Sequence, residues 1–365
     1  MPTVVLKVWS NIHHLQQAYA GFSMLSFQHK VSLKQKFTTP SIELINAFSE
    51  QYLAQHYQSC FIAEIDNKVT IAFDMHDSFE VNPYLIEHCD FYVKRSYAPS
   101  YIETLKHKAK CIPYGPFYEV YSNQFDPFLL QRGLKVSLEW KLRIRSMMRA
   151  FPLLDNITSM PREAKLSAIT PAKSNKIIFS VNMHDPFDNL NRSQENIDRR
   201  IALIEQRADI VRALRKEFPK QFIGGVKDNA TARKFSPDCI LKDPDFFKKE
   251  NYIQNLQQAA IGISSQGLFN SIGGKFGEYI ALGKAIVTTP LDYFQGEGLI
   301  EGENFLAGNT VDKMVEHCTS LMANTEFITQ MSEKNQLYYQ EFLKPDKKIN
   351  NIFSKINLFG ENKLG

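Results

Sequence analysis

Apolar residues recur along this chain with two periods, and their alternation lays out the elements. Residues 4–9 form a short apolar run suited to a buried strand, and residues 41–57 carry the spacing of an amphipathic helix. Two strand-like runs follow, 61–65 and 69–73, separated by Asp66-Asn67, a pair that favours a tight turn. Cys89-Asp90-Phe91-Tyr92-Val93-Lys94-Arg95-Ser96 reads as a strand with a basic exit, and residues 101–108 as a helix. Lys110-Cys111-Ile112-Pro113-Tyr114-Gly115-Pro116 reads as a strand closing on a turn. Residues 127–151 are helical in pattern, with Leu130, Leu134, Leu138, Leu142 and Met148 near one face.

Residues 159–175 are rich in Ser, Pro, Ala and Lys without a sustained period, which marks a linker. Beyond it a strand is expected near 176–182, then a long helix over 194–218 with Ile197, Ile201, Ile204, Ile210, Val211 and Leu214 as its apolar stripe. Strands at 221–226, 239–241 and 260–264 and a helix at 253–260 follow. Strand and helix in alternation predict an α/β protein with doubly wound parallel sheets. The domains expected are 1–158 and 176–342, with 343–365 as a C-terminal helix.

Composition narrows this picture slightly. A length of 365 residues allows two domains with separate cores, and 44% hydrophobic with 22% charged residues is ordinary for a soluble globular chain. A net charge of +4 is too small to point to nucleic acid. The five cysteines (Cys60, Cys89, Cys111, Cys239, Cys318) form no paired framework and no zinc spacing, which suits a reducing cytoplasm. The first residues pass into a strand-like run without a leader pattern, and no apolar run approaches the roughly 20 residues that span a bilayer. Residues 127–151 hold six basic side chains (Arg132, Lys135, Lys141, Arg143, Arg145, Arg149) against one acid, Glu139. Such a helix can lie on an anionic membrane surface; it is also the pattern of a helix packed by one face with solvated cations.

Chemistry concentrates in Gly273-Gly274-Lys275-Phe276-Gly277-Glu278-Tyr279-Ile280-Ala281-Leu282-Gly283-Lys284-Ala285-Ile286-Val287-Thr288-Thr289-Pro290. It reads as a glycine-rich loop, a helix stopped by Gly283, and a buried strand over 285–289. Gly273 and Gly274 let backbone N–H groups approach an anion at a helix N-terminus, and Lys275 adds positive charge. Glu278, expected in the first helical turn, would repel phosphate but can accept hydrogen bonds from a pair of ribose hydroxyls. Together these residues suggest a nucleotide site, the alternative being an ordinary helix cap before a strand. A second candidate is Asp74-Met75-His76-Asp77, polar residues just past a strand end, where open α/β sheets bind ligands.

The pattern Lys-x-x-Glu-Tyr-x-x-x-Gly-Lys-x-Ile-Val over residues 275–287 resembles the donor-site helix of GT-B glycosyltransferases, especially glycosyltransferase family 4, the glycosyl transferases group 1. The resemblance implies two facing Rossmann-like domains with a cleft between them. It assigns Glu278 to the ribose of a nucleotide sugar and Lys275 to its phosphates. Asn270 stands where many members carry a second glutamate near the transferred sugar. Asp74-Met75-His76-Asp77 is similar to an Asp-x-His-acid motif of the first domain, so His76 or Asp77 would contact the transferred sugar or the acceptor hydroxyl. Ile112-Pro113-Tyr114-Gly115 looks like the strand and turn that close that domain, and Gly21 is the one glycine where relatives carry a glycine-rich loop. Arg192, in the loop after the first strand of the second domain, would hold phosphate, with Lys227 as a further candidate. The tail can cross back to the first domain, as in relatives. Asp243-Pro244-Asp245 is not read as a metal site, since these enzymes stabilise the leaving phosphate with helix dipoles and basic side chains.

The activity implied is metal-independent transfer from a nucleotide sugar to a hydroxyl of a glycan or lipid-linked glycan, in surface polysaccharide synthesis such as lipopolysaccharide or capsule. No cofactor is expected beyond the nucleotide-sugar substrate. The place expected is the cytoplasm, at the inner face of the membrane where 127–151 makes contact. A nucleotide-sugar epimerase and a non-catalytic binding protein stay open as alternatives.

Overall fold

The computed structural model describes residues 1–48, 53, 55–136, 140–155, 161–167, 175–189 and 192–357. It divides into two compact units: residues 1–164, 293–297 and 340–365, and residues 165–292 and 298–339.

In the first unit, six strands form one sheet: β1 (Thr3–Val8), β2 (Ser32–Phe37), β3 (Cys60–Ile65), β4 (Val69–Asp74), β5 (Phe91–Lys94) and β6 (Cys111–Pro113). Their order is β2-β1-β3-β4-β5-β6. Five strands run parallel; β3 is reversed, pairing antiparallel with both β1 and β4. The purely parallel sheet expected from the alternation is interrupted there by a hairpin. Its turn puts Asp66 (φ 51°) and Asn67 (φ 53°) in the left-handed region, which matches the strand twist and which short polar side chains tolerate. With β3 as the only exception, the C-terminal ends of β1, β4, β5 and β6 emerge on one edge.

The core packs Phe61 and Phe73 face to face, ring centroids 4.7 Å apart, with Tyr19, Phe22 and Phe353 around them. Phe353 comes from the C-terminal helix Pro345–Lys355, which lies on the helix Gln16–Phe27. The approach is close at Gly21, where a Cβ would sit 2.4 Å from the Pro345 carbonyl oxygen. Gly21 therefore serves a helix crossing and belongs to no ligand loop. Lys348 of the same helix is buried and donates to the carbonyls of Tyr114 (2.7 Å) and Pro116 (2.9 Å), fixing the turn after β6. Burial pulls its ammonium down to about 7.

Three expected helices differ. Residues 41–57 give a single-turn helix, Ile42–Ile45, capped by Ser41, and a 3₁₀ turn, His56–Ser59; residues 49–52 and 54 lie outside the described residues. Residues 101–108 give only Pro99–Ile102 and turns. Residues 127–151 form two packed helices, Pro127–Val136 and Trp140–Arg149; Leu138 and Glu139 lie outside the described residues.

The second unit holds β7 (Ile177–Val181), β8 (Phe222–Val226), β9 (Ile261–Ser264), β10 (Ala285–Thr288) and β11 (Leu306–Ala307), all parallel, in the order β11-β10-β9-β7-β8. The strand expected at 239–241 is reduced to one parallel bridge, Ile240 to Val226, beyond β8. Counting that bridge as the third strand, the sheet has the 3-2-1-4-5-6 order of dinucleotide-binding folds. Its switch point falls between β7 and β9. All five residues of β7 and all four of β9 and β10 are buried, as a sheet covered on both faces requires.

Candidate functional site

At the switch-point edge of the second unit, the helix Gly274–Ala281 starts from Gly273 beside Ser265, whose carbonyl would lie 3.3 Å from a Cβ at Gly273. The helix ends in a Schellman motif: Gly283 (φ 58°) donates to the carbonyl of Ile280 (3.0 Å) and Lys284 to that of Tyr279 (2.9 Å). Phe276, Tyr279 and Ile280 are fully buried and fix the helix rotation. Tyr279 lies flat against Gly262, where a Cβ would meet the ring at 2.6 Å. Glu278 falls in the second turn, one turn later than expected, because the first helical residue is Gly274.

Glu278 is buried, and Lys275 one turn before it is half-buried. Both are joined through Tyr252 of the helix Lys249–Gln258. The Tyr252 hydroxyl donates to Glu278 Oε2 (2.6 Å) and accepts from Lys275 Nζ (2.7 Å). The Lys275 ammonium also stands 4.2 Å from the centre of the Tyr252 ring. Burial and the adjacent Glu278 charge push the Tyr252 phenol well up, so it stays protonated and can keep donating. A cation and an anion one helical turn from each other thus share a neutral partner, at the end of a helix that favours anions.

Arg207, from the helix Gln194–Glu217, is buried at the switch point. Its guanidinium donates to the Asn182 carbonyl (2.9 Å) after β7, and to Ser265 Oγ (3.2 Å) and the Gln266 carbonyl (2.8 Å) after β9. Burial lowers it to about 10. It pins the two strand exits that flank the site. Nothing in the sequence around either Tyr252 or Arg207 marks them, since each acts on residues 23 to 59 positions away.

Asn270 sits after Phe269 in a loop where both are left-handed (φ 58° and 59°), conformations that cost non-glycine residues about 1–2 kcal/mol each. The loop borders a cavity of about 200 Å³ whose other wall is Asn196, Arg199, Arg200 and Leu203. Arg192 is ion-paired with Asp188, and Arg200 reaches the same carboxylate at 3.8 Å. Burial first, then the neighbouring Arg192 charge, lowers Arg200. The structure therefore groups Lys275 with Glu278, and Arg192 with Arg200. Lys227 is exposed after β8.

At the corresponding edge of the first unit, Asp74 ends β4 fully buried. Its Oδ1 accepts the His76 backbone N–H (3.0 Å), which shapes the turn carrying His76 and Asp77. Its Oδ2 accepts from Tyr92 (2.5 Å) and Lys94 (2.8 Å) and lies 3.3 Å from His56 Nε2. Burial alone would raise the carboxyl; His56 and Lys94 beside it outweigh burial and hold it far below the carboxylate range. Lys94 is thus an internal counter-ion and does not face a ligand.

The His76 ring packs at a tilt against His56, centroids 4.4 Å apart, and accepts the Ser78 backbone N–H at Nδ1 (3.1 Å), which assigns its proton to Nε2. Burial, then the charges of His56 and Lys94, keeps its pKa well below 6.5. A neutral ring in this tautomer suits hydrogen-bond donation through Nε2 rather than proton abstraction. Asp77 pairs with Arg95, whose guanidinium lies 4.2 Å over the Phe117 ring; burial lowers Arg95 to about 9. His14 meets the edge of the same ring at 5.7 Å.

His56, Cys60 and Asp74 bring three metal-ligand atoms within 4.8 Å of one another, a grouping that their spacing does not signal. The Lys94 ammonium already fills the cation position at Asp74, and burial pushes the Cys60 thiol well up, away from the thiolate a metal would need.

No protein-family model and no curated protein matches the chain. The solved structures that resemble it include glycosyltransferases and UDP-N-acetylglucosamine 2-epimerases, at low identity. One is the C-terminal domain of a glycosyl transferase group 1 family protein from Francisella tularensis (10% identity, 48% of this chain and 95% of that one, TM-score 0.31). Another is MnaA of S. aureus with UDP (13% identity, 99% and 98%, TM-score 0.43). A third is a glycosyltransferase from Rickettsia africae (10% identity, 93% and 88%, TM-score 0.43).

Proposed function

We propose that the protein is a glycosyltransferase that binds a nucleotide sugar in its second unit and moves the sugar to a hydroxyl of a glycan or lipid-linked glycan. The observation that carries this reading is the Lys275–Tyr252–Glu278 chain beside the Gly273-Gly274 helix start, at the switch point of a 3-2-1-4-5-6 sheet. Glu278 is suited to accept from ribose hydroxyls. Lys275, the helix N-terminus, and Arg192 or Arg200 are suited to the diphosphate. Stabilising a departing nucleoside diphosphate by such fixed positive groups requires no metal. His76 Nε2–H would hold the transferred sugar or the acceptor, with Asp77 and Arg95 beside it. Surface polysaccharide synthesis at the inner face of the cytoplasmic membrane is the setting that fits such an acceptor.

Incubation with UDP-, GDP-, CDP- and ADP-sugars, with and without EDTA, tests the reading by nucleotide release. Release from one donor, insensitive to EDTA and reduced about 10- to 100-fold in affinity by Glu278→Gln, is expected from loss of a charged hydrogen-bond acceptor. Conversion of the donor to an epimer without release would replace transfer with epimerisation. Tight nucleotide binding with neither outcome would leave a binding protein.

A further inference from the structure

Of the eleven exposed large hydrophobic side chains among the described residues, six lie in or beside the helical hairpin of the first unit: Phe125, Leu134, Trp140, Ile144, Phe151 and Leu153. Trp140 is 67% and Leu153 94% exposed. The two helices meet through small residues, since a Cβ on Gly133 would lie 2.8 Å from Ser146 Cβ. Ser146 therefore marks the buried face of the second helix. At about 100° per residue, Trp140 and Ile144 share the opposite, outward face. Arg143 falls on one flank of that stripe, and Lys141 and Arg145 on the other; all three are exposed.

Lys135 adds a fourth exposed cation. The other two basic residues are turned inward: Arg132 is buried over the Tyr19 ring, and Arg149 is half-buried against Tyr121. Asp126, just before the stretch, is buried as the cap of the first helix; Glu139, the acid within it, lies outside the described residues. A helix packed for stability buries its apolar stripe and wets its cations. Here the stripe faces outward between the cations, the arrangement of a helix that lies in a lipid headgroup layer.

We propose that this hairpin docks the protein on an anionic bilayer surface, with Trp140, Ile144, Phe151 and Leu153 entering the headgroup region and Lys135, Lys141, Arg143 and Arg145 meeting lipid phosphates. No helix among the described residues is long and apolar enough to cross a membrane, so the contact is peripheral. As the place where a lipid-linked acceptor is met, the surface rests on the proposed function. Vesicle binding itself needs no nucleotide, so either can fail alone.

The chain has two tryptophans, and Trp9 is half-buried with its indole N–H donated to the Tyr57 carbonyl at 2.7 Å. A lipid-dependent shift that disappears in Trp140→Phe therefore reports Trp140. The full chain is mixed with phosphatidylcholine vesicles, with and without phosphatidylglycerol. Co-sedimentation and a blue shift with the anionic vesicles only are expected, the shift absent in Trp140→Phe. Each cation near such a surface contributes about fivefold, so Lys141→Gln with Arg145→Gln should weaken binding about 30-fold, with the thermal midpoint unchanged. Equal binding to neutral vesicles, no binding to either, or a dimer that buries Trp140 without lipid would each overturn the proposal.

Discussion

At the carboxyl edge of the first sheet the charges are sealed in, and at that of the second they are half open. Asp74, Lys94 and His56 are fully buried, with Lys94 bonded to Asp74 and His56 Nε2 3.3 Å from the same carboxylate, and their product is a turn that presents His76 and Asp77. In the second unit the charged pair is itself the feature presented: Lys275 is half-buried, and the Tyr252 hydroxyl bonds both it and Glu278. The difference teaches where each edge tolerates change. Breaking the first should cost stability before function, and breaking the second function before stability.

The largest expected effect tests the sealed edge. Asp74→Ala leaves the Lys94 ammonium buried without a counter-ion and should destabilise the first unit by about 3–5 kcal/mol, read by denaturant unfolding. A companion Lys94→Met change should recover part of that loss; if it deepens the loss instead, the two side chains do not form the pair described. Next is Arg207→Leu, which orphans three acceptors at the switch point and should cost about 2–3 kcal/mol. It should also weaken nucleotide binding, because Asn182, Ser265 and Gln266 lose their common donor.

Acid separates the edges further. His14, His56 and His76 are all lowered by burial, so the folded state binds fewer protons than the unfolded state below the ordinary histidine value. Stability from these groups is complete above about pH 6.5 and is lost as pH falls below it. A midpoint that stays flat from pH 7 to pH 5 would contradict that placement. The smallest effect is Tyr252→Phe, which should cost about 1 kcal/mol of stability. Its larger consequence is loss of the hydroxyl that Lys275 and Glu278 share, seen as weaker nucleotide binding with the fold intact.

Local features of the sites were legible because they are written within one element. Gly273-Gly274, Lys275, Glu278 and the Gly283 stop occupy eleven consecutive positions, and their helix and cap follow from backbone rules. Asp66-Asn67 announced the tight turn that sets β3 against β4, although not that β3 would also pair antiparallel with β1. Register and direction in a sheet depend on which strands meet, and that is a long-range property. Tyr252 and Arg207 were invisible for the same reason. Residues 41–57 misled because apolar spacing does not show that the first helix stops after one turn, at Ile45, and that a separate 3₁₀ turn follows at His56–Ser59. Lys94 read only as part of a basic strand exit because sequence does not show that Asp74 lies 2.8 Å from it.

The most direct test of the second edge as a nucleotide site is the thermal midpoint with UDP, GDP, CDP and ADP, for wild type and Glu278→Gln. Ligand at 100 times its Kd adds about 2.7 kcal/mol to the folded state, a rise of a few degrees. One nucleotide should raise the wild-type midpoint by that amount and the variant's by clearly less. No rise with any of the four, or an equal rise in the variant, would contradict the assignment of Lys275 and Glu278 to a nucleotide.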